Sequence, residues 1–109
     1  MKLIFGEKMV EQNKVFKLGR TVSTQGAIKA GNDTIFATLL KKHSNLEQGE
    51  LCDSDYQQNL DAVKDEGKMK NGELMQDRTF STYKIGETIF WVITEWDRSV
   101  TTILLPSEY

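Results

Sequence analysis

Apolar residues follow two periods along the chain, helical in its middle and strand-like toward its end. Ile35, Phe36, Leu39, Leu40 and His43 fall at i, i+1, i+4, i+5 and i+8, one stripe of an amphipathic helix. Asp33 or Thr34 caps it, and Lys41 and Lys42 in its last turn complement the helix dipole. Tyr56, Leu60 and Val63 at i, i+4 and i+7 predict another helix, opened by Asp53 or Ser54, with Asp55 in its first turn and Gly67 as its stop. Residues 44–51 between them read as a loop. Beyond residue 78 the period shortens to that of strands. Residues 79–85, 88–95 and 100–105 are three β-rich runs, separated by Gly86-Glu87 and by Trp96-Asp97-Arg98-Ser99, which predicts an antiparallel meander. In the middle run Ile89, Trp91 and Ile93 point one way while Phe90, Val92 and Thr94 point the other. Both faces are apolar, so this strand is central and covered at least in part on each side.

The first third is less regular. Val15, Phe16, Leu18 and Val22, with Thr21 and Thr24, predict a strand bent near Gly19. A short helix follows from Gln25, capped by Thr24 and ended by Gly31-Asn32. Residues 68–77 are polar and irregular, with Asn71-Gly72 a turn signal. The expected fold is one α+β domain over residues 1–109, a three- or four-stranded antiparallel sheet with two or three helices packed on one face.

Composition supports an ordinary core, at 39% hydrophobic and 28% charged with a single proline. The opening Met1-Lys2-Leu3-Ile4-Phe5 begins like a signal peptide, but Gly6-Glu7-Lys8 cuts the apolar run short, and no other stretch is long enough for a membrane span. Gly6-Glu7-Lys8 can be encoded by a purine-rich stretch resembling a bacterial ribosome-binding site, which makes Met9 a candidate natural start and residues 1–8 an extension; the equal alternative is a genuine short first strand from Leu3 to Phe5. The lone Cys52 permits no intramolecular disulfide, so the expected setting is cytoplasmic, with no membrane partner.

Net charge is −2, unevenly spread. Residues 1–46 carry eight Lys/Arg against three Asp/Glu, a balance of +5, whereas residues 47–66 carry seven acids against Lys64, a balance of −6. The acidic helix raises the idea of phosphate-backbone mimicry, and the plainer reading is a solubilising face. The basic first third (Lys14, Lys17, Arg20, Lys29, Lys41, Lys42) lacks the dense clustering and interleaved exposed aromatics of a strong nucleic-acid signal.

Counting removes most catalysis. One histidine excludes a multi-His metal site or a triad using a second histidine. A Cys52–His43 dyad is conceivable ahead of a helix N-terminus, but Glu50, Asp53 and Asp55 crowd the thiol with negative charge, which favours a partly buried structural pair. Asp53-x-Asp55 fails as a calcium loop, since Gln58 and Lys64 stand where Gly and Glu are needed. No glycine pattern supports nucleotide binding. Base methylation would need a cofactor-binding glycine strand and a proline-containing catalytic loop, and the lone Pro106 lies in the tail. The turn Glu95-Trp96-Asp97-Arg98-Ser99 resembles an interface hot spot by composition; its plainer reading is a tryptophan folded over the sheet edge, with Asp97 satisfying turn amides.

The run Ile93-Thr94-Glu95-Trp96-Asp97-Arg98-Ser99-Val100-Thr101-Thr102-Ile103-Leu104-Leu105-Pro106-Ser107-Glu108-Tyr109 is similar to the C-terminal signature of a family of short bacterial proteins carried on plasmids, integrative elements and prophages. Phe16-x-Leu18-Gly19-Arg20-x-Val22-x-Thr24-x-Gly26-Ala27 resembles the family's N-terminal motif and Leu40-x-x-His43 its central one. The resemblance covers most of residues 15–109. After the histidine the family tends to show Gly-Asp-Trp-Gly, where this chain has Asn45-Leu46-Glu47-Gln48-Gly49. Some relatives are labelled type I restriction–modification subunits, which reads as a neighbourhood association, because methyl transfer is excluded above.

The mobile-element setting that the resemblance implies, joined to a compact domain without catalytic groups, leads to two expectations. The first is a non-enzymatic anti-defence inhibitor of the anti-CRISPR kind, needing no cofactor or metal. It would bind a CRISPR effector nuclease such as Cas9 through Asp53, Asp61 and Asp65 and through Glu95, Trp96, Asp97 and Arg98, blocking DNA binding or cleavage. The alternative is a nucleic-acid-binding accessory or regulatory protein of plasmid or integrative-element maintenance, using Lys29, Lys41 and Lys42.

Overall fold

The computed structural model describes residues 2–3, 16–74 and 77–109; the candidate start at Met9 and the expected strand residue Val15 lie outside them. The expected meander is present. Strands β5 (Thr79–Ile85), β6 (Thr88–Thr94) and β7 (Val100–Leu104) pair antiparallel in chain order. The strand expected near Gly19 is β2 (Arg20–Ser23), and it joins β7 in parallel register, Arg20 opposite Val100 and Ser23 opposite Ile103. The sheet is therefore mixed, a correction to the all-antiparallel expectation. A parallel pair needs a long crossover, and everything between Thr24 and Ser99 supplies one. The backbone at β1 (Lys2–Leu3) adds an antiparallel edge, giving the order β1-β2-β7-β6-β5. A separate hairpin, β3 (Met69–Lys70) with β4 (Glu73–Leu74), turns at Asn71-Gly72. Both turn residues have positive φ, 53° and 81°, as a two-residue hairpin of this hand requires.

Three helices, α1 (Gln25–Ala30), α2 (Asp33–Ser44) and α3 (Asp53–Lys64), fill the crossover. The α2 stripe is as read: Phe36, Leu39, Leu40 and His43 are buried and Ile35 is half-buried. Its cap is Asn32, one residue before the expected Asp33, with Oδ1 accepting the Ile35 N–H at 2.9 Å. Phe36 meets Phe90 of β6 edge-to-face at 6.2 Å, which seats α2 on the sheet face made by Phe90, Val92 and Thr94.

Helix α3 lies against the free edge of β5. There Asn59, buried, uses its side-chain amide as a missing strand: Oδ1 accepts Phe80 N–H at 2.9 Å and Nδ2 donates to Phe80 C=O at 2.5 Å. Glu50 N–H covers Thr82 C=O at 2.8 Å. These contacts occupy an edge that would otherwise offer a pairing template. The stripe read for α3 is half right. Tyr56, Leu60 and Val63 are half-buried, while Asn59 and Ala62 on the adjoining side go deepest.

The C-terminal segment closes the fold. Residues Pro106–Glu108 form a 3₁₀ turn that delivers Glu108 to the start of α1, where its carboxylate accepts the Thr24 hydroxyl, the Gly26 N–H at 2.9 Å and the Leu105 N–H at 3.0 Å. The Thr24 hydroxyl bond leads in holding the Glu108 carboxyl below its ordinary pKa.

Candidate partner-binding surface

His43 and Cys52 do not meet, so neither reading of them as a pair stands. Cys52 is exposed at the N-cap of α3, its Sγ 3.3 Å from Ser54 Oγ. His43 is sealed in the core, with Nδ1 2.7 Å from Ser81 Oγ and Nε2 2.9 Å from Thr94 Oγ1. Thr94 Oγ1 is 2.6 Å from Thr101 Oγ1, and Thr101 donates to the Leu18 carbonyl at 2.7 Å. A carbonyl only accepts, so Thr101 spends its proton on Leu18 and must accept from Thr94. Thr94 must then accept from His43, which fixes the Nε2–H tautomer and leaves Nδ1 to accept from Ser81. The result is a one-way chain of hydrogen bonds stapling α2, β5, β6 and β7 to the segment before β2. Ser81 and His43 have the spacing of a nucleophile and base, yet both are about 1% exposed, so no substrate reaches them. Burial, followed by the nearby Arg98 charge, lowers the His43 pKa to about 3.

The hairpin tip divides into an outer and an inner part. Trp96 (52% exposed) and Asp97 face outward, and the Ser99 hydroxyl and N–H, bonded to Asp97, hold its carboxyl below the ordinary range. Arg98 turns inward and is only 7% exposed, so it is not an outward contact residue as expected. Its backbone sits at φ 59°, a left-handed conformation uncommon outside glycine. Four bonds hold it: Nε to Glu66 Oε1 at 3.2 Å, Nη1 to the carbonyls of Asp77 at 2.7 Å and Glu95 at 3.1 Å, and Nη2 to the Ala62 carbonyl at 3.4 Å. Ala62 lies in the last turn of α3, so Arg98 caps its carbonyl and places a full positive charge at that end of the helix. Phe16 fits between this guanidinium and the His43 ring, at 5.4 and 5.3 Å.

Arg98 therefore fastens the hairpin tip to the C-terminal end of α3. Along that helix run two shallow depressions of about 180 and 200 Å³, sharing Gln58 and Asp77. The first is also lined by Asp55, Phe80 and the cation Arg78, and the second, the acidic part, by Asp61 and Asp65. Asp61 and Asp65, expected contact residues, thus share one acidic groove with Asp77, whose backbone carbonyl is bound by Arg98. Asp53 stands apart at the other end of α3, taken up by Gln48 Nε2 at 2.8 Å. Asp55, Gln58 and Asp77 were not among the expected contact residues; Asp77 reaches the groove only because the β5 edge packing brings it beside α3. Lys29 lies in the last turn of α1, and Lys41 and Lys42 in that of α2, each complementing its own helix dipole. Among the described residues no cluster of His, Cys, Asp and Glu is placed to hold a metal ion, and no helix is long and apolar enough to cross a membrane.

No protein-family model, curated protein or solved structure matches the chain. The mobile-element resemblance accordingly rests on the quoted sequence stretches alone.

Proposed function

We propose that this chain is a protein-binding inhibitor of the anti-defence kind, which sets its acidic groove and hairpin tip into the basic, nucleic-acid-binding channel of a defence nuclease. One observation supports the reading: Arg98 ties the Trp96 tip to the C-terminal end of the acidic helix and to the Asp77 backbone. Carboxylates ranged along α3 offer Lys and Arg side chains of a channel the charge they otherwise find in phosphates. Trp96 supplies the large amphipathic ring that anchors an interface, and the surrounding acids set its orientation and speed of encounter. Inhibition in this reading is occupancy and requires no chemistry.

The test is a cleavage assay with a purified CRISPR effector nuclease, adding wild-type protein, the Asp61→Asn/Asp65→Asn/Asp77→Asn variant, or Trp96→Ala. Inhibition by the wild type, weakened at least tenfold in both variants, supports the reading. Inhibition that survives both variants, or that disappears on Lys41→Ala/Lys42→Ala instead, rejects it.

A further inference from the structure

The sheet face opposite α1 and α2 carries a second feature, which adjoins the first depression along α3 through Phe80 and Arg78. Alternation along β5 sends Thr79, Ser81 and Tyr83 into the core and leaves Phe80, Thr82 and Lys84 on the other side; in β6 it leaves Ile89 and Trp91 there. Phe80 and Trp91 meet edge-to-face at 5.1 Å. The C-terminal turn then brings Tyr109 alongside, 5.6 Å from Trp91, while the residue as a whole stays 68% exposed. Arg78 donates from Nη1 to Tyr109 Oη at 3.0 Å and lies over the ring, 5.9 Å from its centre. Lys84, exposed, stands opposite Ile89 in the strand register.

We infer that this aromatic strip, Phe80–Trp91–Tyr109 between Arg78 and Lys84, is a stacking platform for single-stranded nucleic acid. The edge-to-face contacts, with Arg78 over one face of Tyr109, fix the orientation of the rings before a ligand arrives and leave the outward side of Tyr109 exposed. A large exposed aromatic held by a side-chain hydrogen bond and an arginine is not explained by core packing, since Tyr109 buries little. The matching ligand combines flat apolar rings with negative charge at close spacing. Unpaired bases on a phosphate backbone have both, and they stack on a sheet face without needing a sequence. Duplex DNA hides its base faces and fits the strip poorly.

The test uses the Trp96→Phe protein, in which Trp91 is the sole tryptophan, titrated with an oligothymidylate fifteen nucleotides long, with a duplex of equal length, and with polyglutamate as a purely acidic polymer. The expected result is saturable quenching of Trp91 by the single strand alone. Tyr109→Ala should weaken binding about tenfold. Two cations imply a shallow salt slope of roughly −1.4, which Lys84→Ala should reduce by about 0.7. Tyr109 and Lys84 are both exposed, and circular dichroism of each variant checks that the fold is retained. Absence of quenching, equal quenching by polyglutamate, or unchanged affinity in Tyr109→Ala would overturn the inference.

Discussion

At the scale of single residues, the side chains that dominate the molecule are His43 and Arg98, and both act inward. His43 titrates near 6.5 when unfolded but is held neutral in the fold down to about 3. Below pH 6.5 the unfolded chain takes up a proton that the folded chain refuses. Stability contributed by the neutral ring is therefore complete above 6.5 and falls as the pH drops toward 3, by about 1.4 kcal/mol per unit. Urea denaturation at pH 6.5 and 4.5 should show a loss of roughly 2 kcal/mol in the wild type. In His43→Leu that slope should largely vanish, against a lower stability at neutral pH from the hydroxyls left without their partner. Arg98→Ala should cost about 3 kcal/mol, because Glu66 and three backbone carbonyls lose their donor together. Lysine should not rescue it, having no planar fork to reach them; equal stability of Arg98→Lys and wild type by thermal melting would refute this account of the tip. The presence of both residues was plain in the sequence. The inward position of His43 was legible in the α2 stripe; its hydroxyl partners and the inward turn of Arg98 were not, since they depend mostly on groups tens of positions away.

At the scale of elements, legibility followed the range of the interaction. The α2 stripe and the alternation in β6 are set by neighbours a few residues apart, and both appear as read. The caps moved by one residue where adjacent polar groups compete: Asn32 took the place expected of Asp33, and Cys52 precedes Asp53. The parallel entry of β2 was illegible because it depends on residues 80 positions apart. Gly19 permits it, with φ +65° and no room for a Cβ, which would approach the Arg98 carbonyl oxygen to 2.4 Å. The stretches that carry the family resemblance meet in space: Gly19 lies against Arg98 and Ser99, Thr24 and Gly26 against Glu108, and His43 against Thr94. That signature is thus largely the framework of the fold. Asn59 belongs to the same order of effect, standing in for a strand at the β5 edge. Asn59→Leu should cost about 2 kcal/mol and speed hydrogen exchange at the Phe80 amide. Protection at Phe80 equal to wild type would show that the edge is held by other contacts.

At the scale of the whole molecule, the framework residues face inward and leave two unlike surfaces, an acidic groove ending in a tryptophan tip and an aromatic strip between cations. The α+β class, the meander and the acidic block were legible from period and charge. The groove was only half legible, since Asp77 reaches Asp61 and Asp65 through packing alone. Neutralising those three aspartates relieves repulsion between Asp61 and Asp77 and gives up only the long Asp65–Lys68 pair at 3.9 Å, worth little at the surface, so folding stability should change by no more than about 1 kcal/mol. The most direct measurement is competition: target DNA is bound to the purified effector nuclease, and its displacement by wild-type and Asp61→Asn/Asp65→Asn/Asp77→Asn protein is followed at low and high salt. The account predicts displacement by the wild type that weakens steeply with salt, and at least tenfold weaker displacement by the equally stable variant. Equal displacement by both proteins, or displacement indifferent to salt, would contradict it.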